Sequence, residues 1–200
     1  WDSFETSWGF MRHPLVMGTG LISDSYKAWK SHCQERYGLM ARNEAKIDEY
    51  FEHYYHTSTS SKQRFVSVPP ANIQRDVKSL ISFAVGCMFG RYSLDEEGVV
   101  YAGGEWLPER YKTILPDADG IIPISDDEYF QDDIVNRFVL FVEKAYGREH
   151  LEENLKYVAE ALGGNGSSRE IIRNYFLNDF YKDHCTTYQV TGSGKRPIYW

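Results

Sequence analysis

Apolar residues recur at steps of three and four along much of the chain, which predicts amphipathic α-helices. The longest pattern begins at Ser23, continues for about 30 residues and skips one step, at Glu44. A spacing this close to a heptad predicts a long, coiled-coil-like helix whose narrow apolar seam packs antiparallel against another helix. The seam consists of Ile22, Tyr26, Trp29, Cys33, Tyr37, Met40, Ile47, Phe51 and Tyr54.

A second pattern predicts the central buried helix. The stretch from Leu80 to Phe89 is apolar nearly all round, as expected of a helix with no solvent-facing side. Gly86 and Gly90 would let another backbone approach closely, and Gly90 is a candidate for the helix end. The residues at helical spacing are Ile73, Val77, Leu80, Ile81, Ala84, Val85 and Met88.

Three more helices are predicted in the last part of the chain. Ser125 and Glu128 have the capping-box spacing and would open the first of them. The next would end at Gly163, and a second capping box, Ser167 with Glu170, would open the last. Their inward-facing residues are Phe130, Ile134, Phe138, Phe141, Val142 and Ala145, then Leu151, Leu155, Val158 and Leu162, then Ile171, Ile172, Tyr175, Phe176 and Phe180.

The remaining segments predict irregular structure and short strands. Residues 91–124 contain many Gly and Pro residues and form an irregular loop in this prediction. Short strands are predicted within 3–17, at 99–101, at 188–190 and at 197–200. The predicted fold is therefore mainly α, with one long amphipathic helix and a few short strands. Residues 1–61 would hold the entry strand and the long helix, and residues 62–200 a helical domain with the 91–124 loop.

The composition is typical of a globular protein, and it also bears on nucleic-acid binding and on the cellular compartment. Apolar residues make up 42% of the 200 residues and aromatic residues 16%. The formal net charge of −7 argues mildly against a broad nucleic-acid-binding surface. The three cysteines lie far apart, which fits a reducing cytoplasm better than a disulfide framework, and no apolar run is long enough to span a membrane. Both ends look cut, so we expect a longer parent chain.

Candidate chemistry is sparse. No nucleophile–base set occurs, and no acidic or sulfur ligands near His53 and His56 complete a metal site, so we assign no catalytic, cofactor-binding or metal-binding residue. Basic residues beside aromatic residues suit phosphate contact and base stacking, which makes them candidates for DNA contact. The alternative is a solvated surface with snorkelling side chains, and for Arg91 a salt bridge or helix cap. The candidates are Lys62, Arg64, Arg91, Lys195, Arg196 and Tyr199.

Several long strings resemble one protein family. RDVKSLISFAVGCMFGRYSLD at 75–95, followed by YAGGEW at 101–106, is similar to the central helical region of PglX-type DNA methyltransferases of bacteriophage-exclusion (BREX) systems. DEYF at 127–130, DDIV at 132–135, YFLNDFYKDHC at 175–185 and RPIYW at 196–200 continue the resemblance in order. The similarity covers most of the chain.

The resemblance implies a parent enzyme that methylates adenine in host DNA with S-adenosylmethionine and works with other phage-defence proteins. Its catalytic domain would precede these residues. The Asn/Asp-Pro-Pro-Tyr/Phe loop that such enzymes use is absent, because Pro69-Pro70 stands between Val68 and Ala71. The family's catalytic residues therefore have no counterparts in this chain.

Two interpretations remain open at this point. One is a non-catalytic helical region that positions DNA for the parent enzyme. The other is a protein-interaction module, in which the acidic surface and the apolar seam from Ile22 to Tyr54 dock another defence protein or a second copy. The lack of a nucleophile–base–orienter set speaks against an independent hydrolase.

Overall fold

The computed structural model describes residues 2–16, 18, 20–55 and 70–188. All regular secondary structure within these ranges is helical. The α-helices are α1 (Ile22–Tyr55), α2 (Ile73–Met88), α3 (Ile134–Tyr146), α4 (Leu151–Leu162), α5 (Ser168–Asn178) and α6 (Phe180–Thr187). Single 3₁₀ turns occur at Pro14–Val16, Pro108–Arg110 and Arg148–His150.

The prediction of a mainly α fold is confirmed, but the predicted strands are wrong wherever the structure describes them. Residues 2–10 form successive turns, in which the Ser7 N–H donates to the Phe4 carbonyl. At 99–101, only Val100 makes a backbone hydrogen bond, to the carbonyl of Arg91. Alternating aromatic residues do not make a strand without a neighbouring strand to satisfy the backbone. The candidates at 188–190 and 197–200 lie outside the described residues, apart from Tyr188, which is in a turn.

Helix α2 lies at the centre of the core, as predicted. It packs against α3, α4 and α6, and its apolar residues from Val77 to Met88 are buried except Val85, which is half-buried, whereas Ile73 is 38% exposed. Its N-terminus is capped by Asn72, whose side chain accepts a hydrogen bond from the Arg75 N–H. The buried residues of α2 are Asp76, Val77, Leu80, Ile81, Ser82, Phe83, Ala84, Cys87 and Met88.

Gly86 and Gly90 admit aromatic rings, not another backbone, which corrects the prediction. A Cβ at Gly86 would overlap the ring of Tyr92. At Gly90, where φ is +79°, a Cβ would lie 2.6 Å from the ring of Trp106. The chain can turn back over the end of α2 because both positions lack a side chain.

Helix α1 has the predicted length, but only its first part is packed. Asn154 of α4 fixes its start, because the Asn154 side chain accepts from the Ile22 N–H and donates to the Gly20 carbonyl, both at 2.8 Å. Cys33 is the last buried residue of α1. Beyond it no described helix covers the seam, and Tyr50 and Tyr54 are 66% and 70% exposed.

One predicted capping box is confirmed and the other is wrong. Ser167 and Glu170 exchange both hydrogen bonds of the motif and open α5. Ser125 does not open a helix, because α3 begins nine residues later and is capped by Asp133. Glu128 instead accepts a hydrogen bond from Asn136, and Phe130, predicted to face inward, is exposed.

Asp133 is fully buried and is neutralised by Arg173 of α5. The Arg173 guanidinium donates to both carboxylate oxygens, at 2.7 and 3.0 Å, and also to the carbonyl of Ser125. This bidentate pair ties α5 to the start of α3 and to the end of the irregular segment.

We predict that Arg173→Met lowers the free energy of unfolding by about 3–5 kcal/mol, because it leaves Asp133 charged and unpaired in the core. Arg169→Met is the matched control, since the Arg169–Glu152 pair is solvent-exposed and contributes less than about 1 kcal/mol. Urea denaturation of both variants measures the difference. Adding Asp133→Asn to Arg173→Met should recover part of the loss, and equal small losses in both single variants would contradict the prediction.

Candidate functional site

A cavity that brings polar groups together lies between the N-terminal segment, α2 and the α5–α6 pair. Its volume is about 590 Å³, within the range of about 300–1,000 Å³ that is usual for ligand pockets. Phe4, Tyr175 and Phe180 supply aromatic walls, and Glu5 and His184 supply polar groups. Pro70 and Thr187 stand at its edge.

Glu5 is the buried carboxyl of this cavity. Its Oε2 accepts hydrogen bonds from the Tyr188 hydroxyl at 2.5 Å and from Ser82 Oγ at 3.2 Å. Its Oε1 is buried and has no hydrogen-bond partner in the described part of the chain. Burial raises the pKa of Glu5 to about 7, against the lowering effect of the bonds from Tyr188 and Ser82. A carboxyl in this state holds its proton until near neutral pH.

His184 is a neutral ring held from two sides. Its Nδ1 lies 3.1 Å from Ser82 Oγ, and its ring stacks on Phe180 at a centroid distance of 5.5 Å. Burial lowers the pKa of His184, and the charge of Arg91 lowers it further. The imidazole therefore stays uncharged at neutral pH.

Ser82, His184 and Glu5 do not form a nucleophilic triad. In such a triad the histidine stands between the hydroxyl and the acid, so that it can take the proton and be oriented by the carboxylate. Here Ser82 stands between Glu5 and His184, and its single hydroxyl proton can be donated to only one of them. The arrangement therefore joins the N-terminal segment, α2 and α6 without activating a nucleophile.

Cations at the edge of the cavity are already paired. Lys78 Nζ lies 2.7 Å from Asp183 and 5.4 Å from the ring centroid of Tyr175. Arg75 pairs with Asp76 at 2.7 Å, and its guanidinium lies over the ring of Phe4. The cavity wall is therefore close to charge balance, and it favours neither a strong anion nor a strong cation.

Of the six predicted DNA-contact residues, the structure describes Arg91 alone; Lys62, Arg64, Lys195, Arg196 and Tyr199 lie outside the described residues. Arg91 is half-buried just past the end of α2. Its Nε donates to the Tyr92 hydroxyl at 3.2 Å, and its charge lowers the pKa of Glu5. This contact is neither the salt bridge nor the helix cap that was the alternative for Arg91, and DNA contact there stays a prediction.

The described ranges hold no candidate metal site and no candidate membrane span. No group of three or more His, Cys, Asp or Glu side chains there is placed to hold a metal ion. No helix there combines the length and the apolar character needed to cross a membrane.

Comparison with known proteins finds relatives for the whole chain. It is 40% identical over 214 residues to adenine-specific methyltransferase PglX of Lacticaseibacillus casei (strain Zhang) and covers 17% of that protein. It is 34% identical over 233 residues to adenine-specific methyltransferase BrxX of Escherichia coli O9:H4 (strain HS) and covers 19% of it. The whole chain corresponds to one segment of the PglX-type methyltransferases. It spans less than a fifth of the length of these relatives, and no protein-family model matches it.

The resemblance predicted from the sequence is thus confirmed. The hydrogen-bond network around Glu5 lies within this PglX-type segment. Sequence reasoning missed Glu5, Ser82, His184 and Tyr188. They come from three separate parts of the chain and share no local spacing. The only available signal was a polar residue, Ser82, inside the apolar run of α2.

We predict that burial of Glu5 makes a contribution to the stability of this segment that falls as pH rises. Between pH 4.5 and about 7 the unfolded chain releases the Glu5 proton and the folded chain keeps it. Each pH unit in that window therefore lowers the free energy of unfolding by about 1.4 kcal/mol. Glu5→Gln should remove this contribution, and denaturation from pH 4.5 to 8 measures the difference between the two proteins.

The stability of wild type must be compared with that of Glu5→Gln because His13 contributes a pH dependence of its own. It is fully buried, and burial lowers its pKa to about 3, so its contribution rises with pH and opposes that of Glu5. His13 is the same in both proteins and cancels on subtraction. Glu49→Gln, an exposed site on α1, is the matched control and should show the wild-type pH dependence. Parallel curves for wild type and Glu5→Gln would rule out the buried proton.

Proposed function

We propose that this chain is a non-catalytic helical region that positions DNA for a S-adenosylmethionine-dependent, adenine-specific DNA methyltransferase of a BREX phage-defence system. The observation that carries the proposal is the match of the whole chain to one segment of the PglX and BrxX proteins, both named adenine-specific methyltransferases. Other proteins of the defence system are the proposed partners, and the cytoplasm is the proposed location.

The described residues do not fit the methyl donor, which supports a non-catalytic role. Cofactor loops of this kind connect a strand to a helix, and no strand is present in the described ranges. The glycine-containing turn at Gly163 and Gly164 instead joins α4 to α5. In the 590 Å³ cavity, Ser82 already lies within hydrogen-bond distance of His184 and of Glu5 Oε2, which also accepts from Tyr188. The methyl donor would bind elsewhere in the parent enzyme.

The distribution of basic residues supports DNA contact on one side. Between residues 62 and 91 there are five basic residues and one acidic residue, Asp76. The described chain resumes at Pro70 and ends at Tyr188, and both Pro70 and Thr187 border the cavity. Arg75 and Lys78 also line this cavity.

We predict that the chain alone binds duplex DNA weakly, in a salt-dependent manner, and transfers no methyl group. Lys195→Gln with Arg196→Gln should reduce the slope of log Kobs against log salt by about 2, because each lost phosphate contact removes about 0.9. Fluorescence anisotropy at several salt concentrations measures the slope. Incubation with DNA and radiolabelled S-adenosylmethionine tests methyl transfer.

The control is Lys30→Gln with Lys46→Gln, which removes two charges from exposed positions on α1. It should leave the slope unchanged. An equal effect of the two double variants would contradict a localised DNA-contact surface, and methylation by the chain alone would contradict the non-catalytic role.

The second candidate function is a protein-interaction module, and the exposed end of α1 favours it. Four aromatic residues border a shallow cavity of about 410 Å³ there: Tyr50, Phe51, Tyr54 and Tyr55. Phe51 and Tyr55 stack on each other, so the surface is an aromatic face and not a set of separate side chains. Aromatic clusters of this kind are enriched at protein interfaces.

We predict that this face mediates self-association of the chain. The double variant Phe51→Ser with Tyr54→Ser lacks the two aromatic rings at the centre of the contact. The concentration at which the chain self-associates, measured by sedimentation velocity, should therefore rise at least about tenfold. Leu140→Ser, on the exposed side of α3, is the control and should have no effect. A wild-type chain that stays monomeric at all concentrations would reject this role for α1.

A further inference from the structure

The acidic character of the chain is concentrated in one segment. Residues 95–133 contain twelve acidic and two basic residues, a formal charge of −10, so the rest of the chain carries +3. Asp133, Asp117 and Glu96 are neutralised by ion pairs with Arg173, Arg137 and Arg110. Eight others are exposed and have no cation within 4 Å in the described structure: Glu97, Glu105, Glu109, Asp119, Asp126, Asp127, Glu128 and Asp132.

The same segment exposes large apolar side chains. Leu115, Ile121 and Tyr129 are 70%, 69% and 73% exposed, and Val99, Trp106, Ile124 and Phe130 are exposed as well. A solvated loop surface would combine acidic groups with small polar residues. Acidic groups beside large exposed apolar groups mark a surface that another macromolecule covers.

An aromatic cavity lies within this surface. It has a volume of about 420 Å³ and is lined by Phe89, Trp106, Tyr111, Leu115 and Pro116, among others. Trp106 stacks on Tyr111 at a centroid distance of 4.9 Å and meets Tyr101 edge-on. Because the ring of Trp106 occupies the space left by the missing side chain of Gly90, its position is fixed by the backbone.

We infer that the 95–133 surface docks a basic protein segment, and that an arginine side chain of this segment enters the Trp106 cavity. Aromatic faces attract cations, and a guanidinium is hydrated weakly enough to leave water for such a site. The uncompensated carboxylates raise the local concentration of cations and repel nucleic acid. The exposed apolar residues call for a protein, because a free cation would leave them uncovered.

This docking surface is separate from the side of the molecule that carries Arg75 and Lys78. It does not depend on DNA contact, and failure of the DNA proposal would leave it standing. The cavities on the two sides share no lining residue, so a basic protein segment and DNA can occupy the chain together.

The test is calorimetric titration of the 200-residue chain with the synthetic peptide acetyl-Gly-Arg-Leu-Arg-Gly-Leu-Arg-Gly-amide. The matched ligand replaces each arginine by citrulline, which keeps the shape and loses the charge. The arginine peptide should bind at least about tenfold more tightly than the citrulline peptide, with an affinity that falls as salt rises. Equal binding of the two peptides, or no binding of the arginine peptide, overturns the inference.

Protein variants locate the contact. Leu115→Ser changes an exposed edge of the cavity without affecting the core. The double variant Leu115→Ser with Trp106→Leu should weaken binding of the arginine peptide at least about tenfold. Glu105→Gln with Glu109→Gln should weaken it too, whereas Glu49→Gln with Glu52→Gln on α1 should not. Equal weakening by the two charge variants would mean non-specific attraction and overturn the inference.

Two competing occupants give distinct results. A short oligothymidylate that displaces the arginine peptide would assign the aromatic cavity to nucleic acid. A dimer of the chain that the peptide dissociates, and that Leu115→Ser prevents, would assign the surface to a second copy. Either result overturns the inference of a basic protein partner.

Discussion

Burial of α2 is the constraint from which the other positions follow. Val77, Leu80 and Ile81 are inaccessible to solvent, and each such side chain contributes about 1.5–3 kcal/mol when fully buried. Helices α3 and α4 must therefore lie against this face. Ser82 is a polar residue within the buried run, and its hydroxyl finds partners in Glu5 and His184. The central helix thereby fixes both the packing and the polar network of the cavity.

Sequence periodicity predicted the helices well, because a helix that packs on an apolar core presents an apolar residue to it every three or four positions. The prediction failed where the start of a helix depends on a residue that is distant in sequence. The spacing at Ser125 and Ser167 is the same, but only Ser167 opens a helix. Asp133 begins α3 because Arg173, forty residues away, neutralises its carboxylate in the core. No local pattern contains that pairing.

The candidate sites show the same division. Basic residues beside aromatic residues can be read from the sequence. The bond between Tyr188 and Glu5 spans 183 positions, and neither residue is unusual in its own neighbourhood. Net charge was equally uninformative. The value of −7 averages an acidic segment over a remainder that is slightly basic, so it describes neither surface.

The partial packing of α1 has a mechanical consequence. The helix has 34 residues, which corresponds to a rod of about 50 Å. Asn154 clamps one end of it, and about 33 Å project past Cys33 without a supporting helix in the described structure. A tilt of only about 10° at the clamp, about 50 Å from the aromatic tip, would displace this tip by about 9 Å. Small adjustments between α1 and α4 are thus amplified at the far end of the rod, as in a lever.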